Sequence, residues 1–174
     1  MRSYLLGLAT VVVLLIGGGF ALIWFGYFPM AADAPPPFPM ERWAAKHMLN
    51  ATIAREAPQP PYPFGPSTED VEVAGANAYM TNCSVCHGSA GSDASNVSKG
   101  MYINAPQFAE HGVDDDPEGE TYWKIEHGIR FTGMPSFKGA LSEETIWQIT
   151  YFLKRGTSNL PDDIDAIWHQ PHGD

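Results

Sequence analysis

Cysteine is scarce in this chain, with two residues in 174, and basic side chains are half as numerous as acidic ones, ten against twenty. The first scarcity excludes a disulfide-dense scaffold. The second leaves a formal net charge of −10 and excludes general nucleic-acid binding, which needs basic surface against phosphate. There is no Ser/His/Asp set, no phosphate-binding loop, no metalloprotease motif and no internal repeat. The length allows one or two small domains. Charge is itself missing from one region, because no charged residue lies between Ser3 and Ala32.

What is present is unevenly placed. Residues 1–66 hold four basic and three acidic side chains, whereas residues 67–174 hold six and seventeen. The stretch Leu5 to Phe28 is almost wholly apolar, and a membrane span needs only about 20 such residues. It exceeds the apolar core of a secretory signal, roughly 7–15 residues. A retained anchor over residues 1–30 is the expectation. A cleaved signal is the alternative, since Ala32-Asp33-Ala34 has the small-x-small form of a cleavage site. Gly17, Gly18 and Gly19 suit close helix packing in lipid, though glycine is also common in such helices. Trp24 and Tyr27 stand where interfacial aromatics belong, and Arg2 favours a cytoplasmic N-terminus.

Ten of the fifteen prolines fall between Pro29 and Pro66, in two clusters that read as extended spacers. Between them, Glu41 to Glu56 lacks Pro and Gly and reads as a short helix. Its Met40, Trp43, Ala44, His47, Met48 and Ala51 share a face at helical spacing. That face suits a membrane surface, a partner subunit or the downstream domain. Residues 31–66 thus form a neck, and residues 67–174 form the globular domain.

Cys83-Ser84-Val85-Cys86-His87 is the strongest signal. Cys-x-x-Cys followed at once by His is the attachment signature of c-type haem. On a helical turn, positions i, i+3 and i+4 share one face, so two thioethers and one imidazole can address one porphyrin. A thioredoxin-like pair would need a βαβ pattern that the sequence lacks. A zinc site would need a second Cys/His pair, and neither His111 nor His127 belongs to one.

With this motif in place, residues 67–174 resemble a class I monohaem cytochrome c. The resemblance implies an all-α domain, with three or four helices around one covalent haem c, preceded here by the transmembrane helix and the neck. Val71 to Cys83 is expected as the first helix, with Gly75 and Tyr79 meeting Trp147 and Tyr151 at the crossing with the last. That last helix has Ser142 as N-cap, Glu143 and Glu144 in its first turn, Lys154 and Arg155 in its last turn, and Gly156 at its end. Pro117 to Ile129 reads as a middle helix.

The resemblance assigns the second axial ligand to a methionine in a later loop. Met134, in Thr132-Gly133-Met134-Pro135, is the best candidate, 47 residues beyond His87. Met80 precedes the motif on the same helix, and Met101 suits packing. Bis-histidine ligation through His111 or His127 is the alternative. The family also implies that Trp123 or Arg130 pairs with a haem propionate, and that a carbonyl near Pro106 accepts from His87. The acidic run Asp114-Asp115-Asp116 lacks calcium-loop spacing and reads as a solvated loop.

The expected function is electron transfer at the periplasmic side of a bacterial inner membrane, between respiratory or photosynthetic redox proteins that carry a basic docking patch. A permanently docked cytochrome subunit of a larger membrane oxidoreductase is one rival reading. A haem peroxidase or gas sensor is another.

Overall fold

The structure is a computed structural model, described here for residues 2–36, 38–64, 67–110, 112–156 and 159–170. Among these residues the chain is helical without strands. It divides into two compact units, Met1–Arg42 and Trp43–Asp174.

The first unit is dominated by α1, Arg2–Trp24, none of whose side chains is buried. At 1.5 Å per residue its 23 residues extend about 34 Å, enough to cross a hydrocarbon core of about 30 Å. It ends where Gly26 adopts a left-handed φ of 69°. There the Tyr27 N–H donates to Leu22 O and the Gly26 N–H to Ile23 O, which satisfies carbonyls that a helix end leaves open.

Helix α2, Glu41–Glu56, has the bounds its sequence predicts. Its buried side, however, is not the Trp43–Met48 stripe. Ile53, with Ala57 just past the helix end and Leu49 one turn earlier, packs against Trp123, while Trp43 and Met48 stay exposed. Trp123 is large and reaches across to the α2 residues that stand one turn apart. The seat is tightened at Gly119, where a Cβ would lie 2.0 Å from Pro58 O.

The remaining helices are α3 (Glu69–Asn82), α4 (Ser84–His87), α5 (Asn96–Lys99), α6 (Glu118–His127), α7 (Glu143–Arg155) and α8 (Asp162–Trp168). The core forms where α3 crosses α7. A Cβ on Gly75 would stand 2.0 Å from Gln148 O and 3.0 Å from Phe152 Cβ, so only glycine permits this approach. The crossing uses Gln148 and Phe152, not the expected Trp147 and Tyr151. Adjacent helical residues are about 100° apart, and that rotation sends Trp147 onto Tyr122 of α6, stacked at 4.4 Å. Tyr79 meets Phe152 and Trp168, with ring centroids 5.5 and 5.3 Å away. Ser142 caps α7 by accepting from the Thr145 N–H. Buried Glu72 of α3 pairs with Arg155 of α7 at 2.6 Å and accepts from Ser67.

The acidic loop before α6 is organised by lysines. Lys154 Nζ donates to the carbonyls of Val113, Asp114 and Asp116, and Lys124 Nζ pairs with the Asp116 carboxylate at 2.7 Å.

Candidate functional site

Helix α3 runs almost directly into α4, with Cys83 as the joint: the Cys83 N–H donates to Tyr79 O and the His87 N–H to Cys83 O. Cys83 and Cys86 are free, half-buried thiols one turn apart, and His87 follows on the same turn. Burial, with a smaller contribution from Cys86, pushes the Cys83 thiol up to about 12.

The four carbonyls of α4 have no continuing helix to donate to them, yet each has a donor. Ser84 O takes the Gly88 N–H, Val85 O the Ser95 hydroxyl, Cys86 O the Gln107 amide and His87 O the Phe108 N–H. The loop that supplies these donors also fixes the imidazole. His87 Nδ1 lies 2.9 Å from Pro106 O; a carbonyl only accepts, so Nδ1 carries the proton and Nε2 is left with its lone pair. The ring stacks on Phe108 at 4.4 Å. Burial lowers the His87 pKa, opposed by the Pro106 bond, and so favours the neutral form that binds metal.

Gln107 is the hub of this loop, donating also to Ala105 O at 2.9 Å and reaching the Ser98 hydroxyl at 3.3 Å. It fits because Gly88 is left-handed, at φ 73°, and a Cβ there would lie 2.7 Å from Gln107 Oε1. Buried Tyr79 donates to Gly88 O at 2.7 Å, and the Ala90 N–H donates to Trp168 O. Gln107, the Tyr79 hydroxyl and the whole of α8 are contributions that the sequence reading missed. The signal for α8 was available in Pro161-Asp162-Asp163, a helix-start pattern followed by Ile164 and Trp168 at i, i+4.

Met134 sits on a loop folded back against the end of α6. The Ile129 N–H donates to Met134 O, the Met134 N–H to the Thr132 hydroxyl, and the Phe137 and Lys138 N–H groups to Ile125 O and Glu126 O. Gly128, at φ 67°, opens this turn beneath the Pro135–Ser136 backbone. Met101 covers the loop: a Cβ on Gly133 would meet its sulfur at 2.6 Å. Met134, Cys83 and Met80 all pack against the main core cluster.

Trp123 is placed apart from these residues, in the α2 cluster, with its indole N–H buried and without a protein partner. Arg130 is exposed. His127 Nδ1 faces Trp123 O at 3.2 Å on its own helix; His111 lies outside the described residues. No group of three or more His, Cys, Asp or Glu side chains placed to hold a metal ion occurs among the described residues.

The donor set fits haem c: two unpaired thiols on one turn, beside a neutral imidazole whose outer nitrogen is free. Residues 70–153 match the family model described as cytochrome c oxidase, cbb3-type, subunit III. The matched segment is a class I c-type cytochrome domain, and such a domain is an electron carrier that works through haem. No curated protein and no solved structure gave a match.

Proposed function

We propose that this chain is a membrane-anchored monohaem cytochrome c that passes electrons between respiratory or photosynthetic partners on the periplasmic side of the inner membrane. Cys83 and Cys86 would hold the haem as thioethers, and His87 and Met134 would ligate its iron. The single observation that carries the reading is the His87–Pro106 bond, which fixes the ring and its tautomer beside two free thiols. When bound, haem iron supplies one-electron redox chemistry. The chain's own residues set the conditions for it. Pro106 O makes the imidazole a stronger donor. A thioether from Met134 favours the reduced state relative to a second imidazole. The exposed Arg130 guanidinium is a donor available to a propionate. The acidic surface of residues 67–174 steers partners with a basic patch, and association slows as salt rises. Helix α1 keeps the domain at the membrane and raises its effective concentration there.

A spectrum of the purified protein tests the ligation. The ferric wild type shows the methionine-to-iron charge-transfer band and Met134→Ala lacks it; a wild type without the band sinks the assignment. A second reading, a cytochrome fixed as a subunit of a membrane oxidoreductase, draws on the matched family's description. Stable co-purification with such a complex supports it, and a freely exchanging monomer refutes it.

A further inference from the structure

We infer that α2 is an interfacial helix, whose outer face (Trp43, His47, Met48, Ala51 and Ala54) lies in the headgroup boundary of the bilayer that α1 crosses. The inference rests on the reading of α1 as a retained anchor. Its own observation is the asymmetry of α2. Only Ile53 of its sixteen residues is buried, and the domain touches it near its C-terminal end, through Ile53 and Ala57 against Trp123. The Trp123 contact covers one side of α2, and the outer face is left open. That face presents a large aromatic and a methionine, Trp43 at 62 % and Met48 at 58 % exposure, with the Trp43 ring stacked on His47 at 5.5 Å.

Lipid is the favoured occupant, for two reasons. Sixteen residues separate Trp24 from Glu41, a tether of about 55 Å at full stretch, so α2 is never far from the bilayer. Charge agrees: α2 carries Arg42, Lys46 and Arg55 against Glu41 and Glu56, a net of +1, while residues 67–174 carry −11 (six basic, seventeen acidic). Anionic headgroups therefore accept α2 and repel the haem domain. A Trp-bearing face set opposite a side that carries Arg42 and Lys46 has the division of residues found in helices that lie in the interface. Seated in this way, α2 holds the cytochrome domain in one attitude above the membrane through the Ile53–Trp123 contact, in place of free rotation on a string.

The test uses the full-length, haem-loaded protein in vesicles of phosphatidylcholine and of an equal mixture with phosphatidylglycerol. Spin labels are placed by Ala51→Cys and Ala54→Cys on the outer face, by Glu56→Cys about 140° around the helix from Ala51, and by Leu14→Cys within α1. The native cysteines are blocked as thioethers. Labels at 51 and 54 are expected to favour oxygen over an aqueous nickel chelate several-fold more than the label at 56, most strongly with phosphatidylglycerol. Adding the exposed substitution Trp43→Glu returns them to the value at 56 without changing the label at 14. Equal accessibility at 51, 54 and 56, with position 14 embedded, overturns the inference and leaves the anchor standing. An aqueous label at 14 removes the anchor and the inference together. Shielding of 51 and 54 from both reagents in native membranes alone, with water contact in pure lipid, assigns the face to a protein partner and also overturns it.

Discussion

Around His87 every carbonyl of α4 has a donor, and the imidazole is caught between Pro106 O and the Phe108 ring. Around Met134 the chain relies on a short return onto α6, one hydroxyl from Thr132, and Met101 lying over Gly133. The first side is held by side-chain donors from two loop positions, Ser95 and Gln107, together with two backbone N–H groups; the second is shaped mostly by backbone and by two flexible thioethers. A ligand held in the first way tolerates little displacement, whereas one held in the second can adjust as the iron changes charge. Under the proposed ligation, the difference gives rigidity to the attachment side and tuning to the methionine side.

The comparison breaks first at its strongest point. His87→Ala is expected to abolish accumulation of haem-stained protein, and staining at the wild-type level would show that the attachment side does not depend on its imidazole. Met134→His should keep haem bound and low-spin while lowering the reduction potential; an unchanged potential in a redox titration removes Met134 from the iron. Gln107→Ala deletes the donor to two half-buried carbonyls and is expected to cost about 2 kcal/mol in denaturant unfolding, with the α6 loop unaffected. Gly133→Ala forces Met101 aside. It should cost about 1 kcal/mol, less than the Gln107 change, and shift the charge-transfer band more than Gln107→Ala does. The last effect appears only in alkali. The folded Cys83 thiol titrates near 12 against about 8.5 in an unfolded chain. Haem-free protein is therefore fully stabilised by this group below 8.5 and loses that stability as the pH rises towards 12. A thioether has no such proton, so haem-loaded protein should lack the Cys83 part of the decline; identical alkaline unfolding curves would falsify the thioether assignment.

The helices were legible because their signals are local. Ser142, the paired glutamates, Lys154-Arg155 and Gly156 bound α7 to the residue, and Gly75 marked a close crossing. Which residues it meets was not legible: choosing 148 and 152 over 147 and 151 depends on how Tyr122 and Tyr62 already occupy Trp147. The attachment motif was read from five consecutive residues, while its support was dispersed. Gln107, Ser95 and Trp168 act on α4 and its following loop across 10 to 78 residues of chain, and a single sequence carries no mark of such pairings. For α2 the helix was plain but its buried side was not, because one distant Trp123 decides it.

The Lys154 ammonium, set among the carbonyls of Val113, Asp114 and Asp116, stands where other acidic loops recruit a divalent ion. The loop's shape is thereby set by groups that the chain itself supplies, the Lys154 ammonium and the Lys124–Asp116 pair.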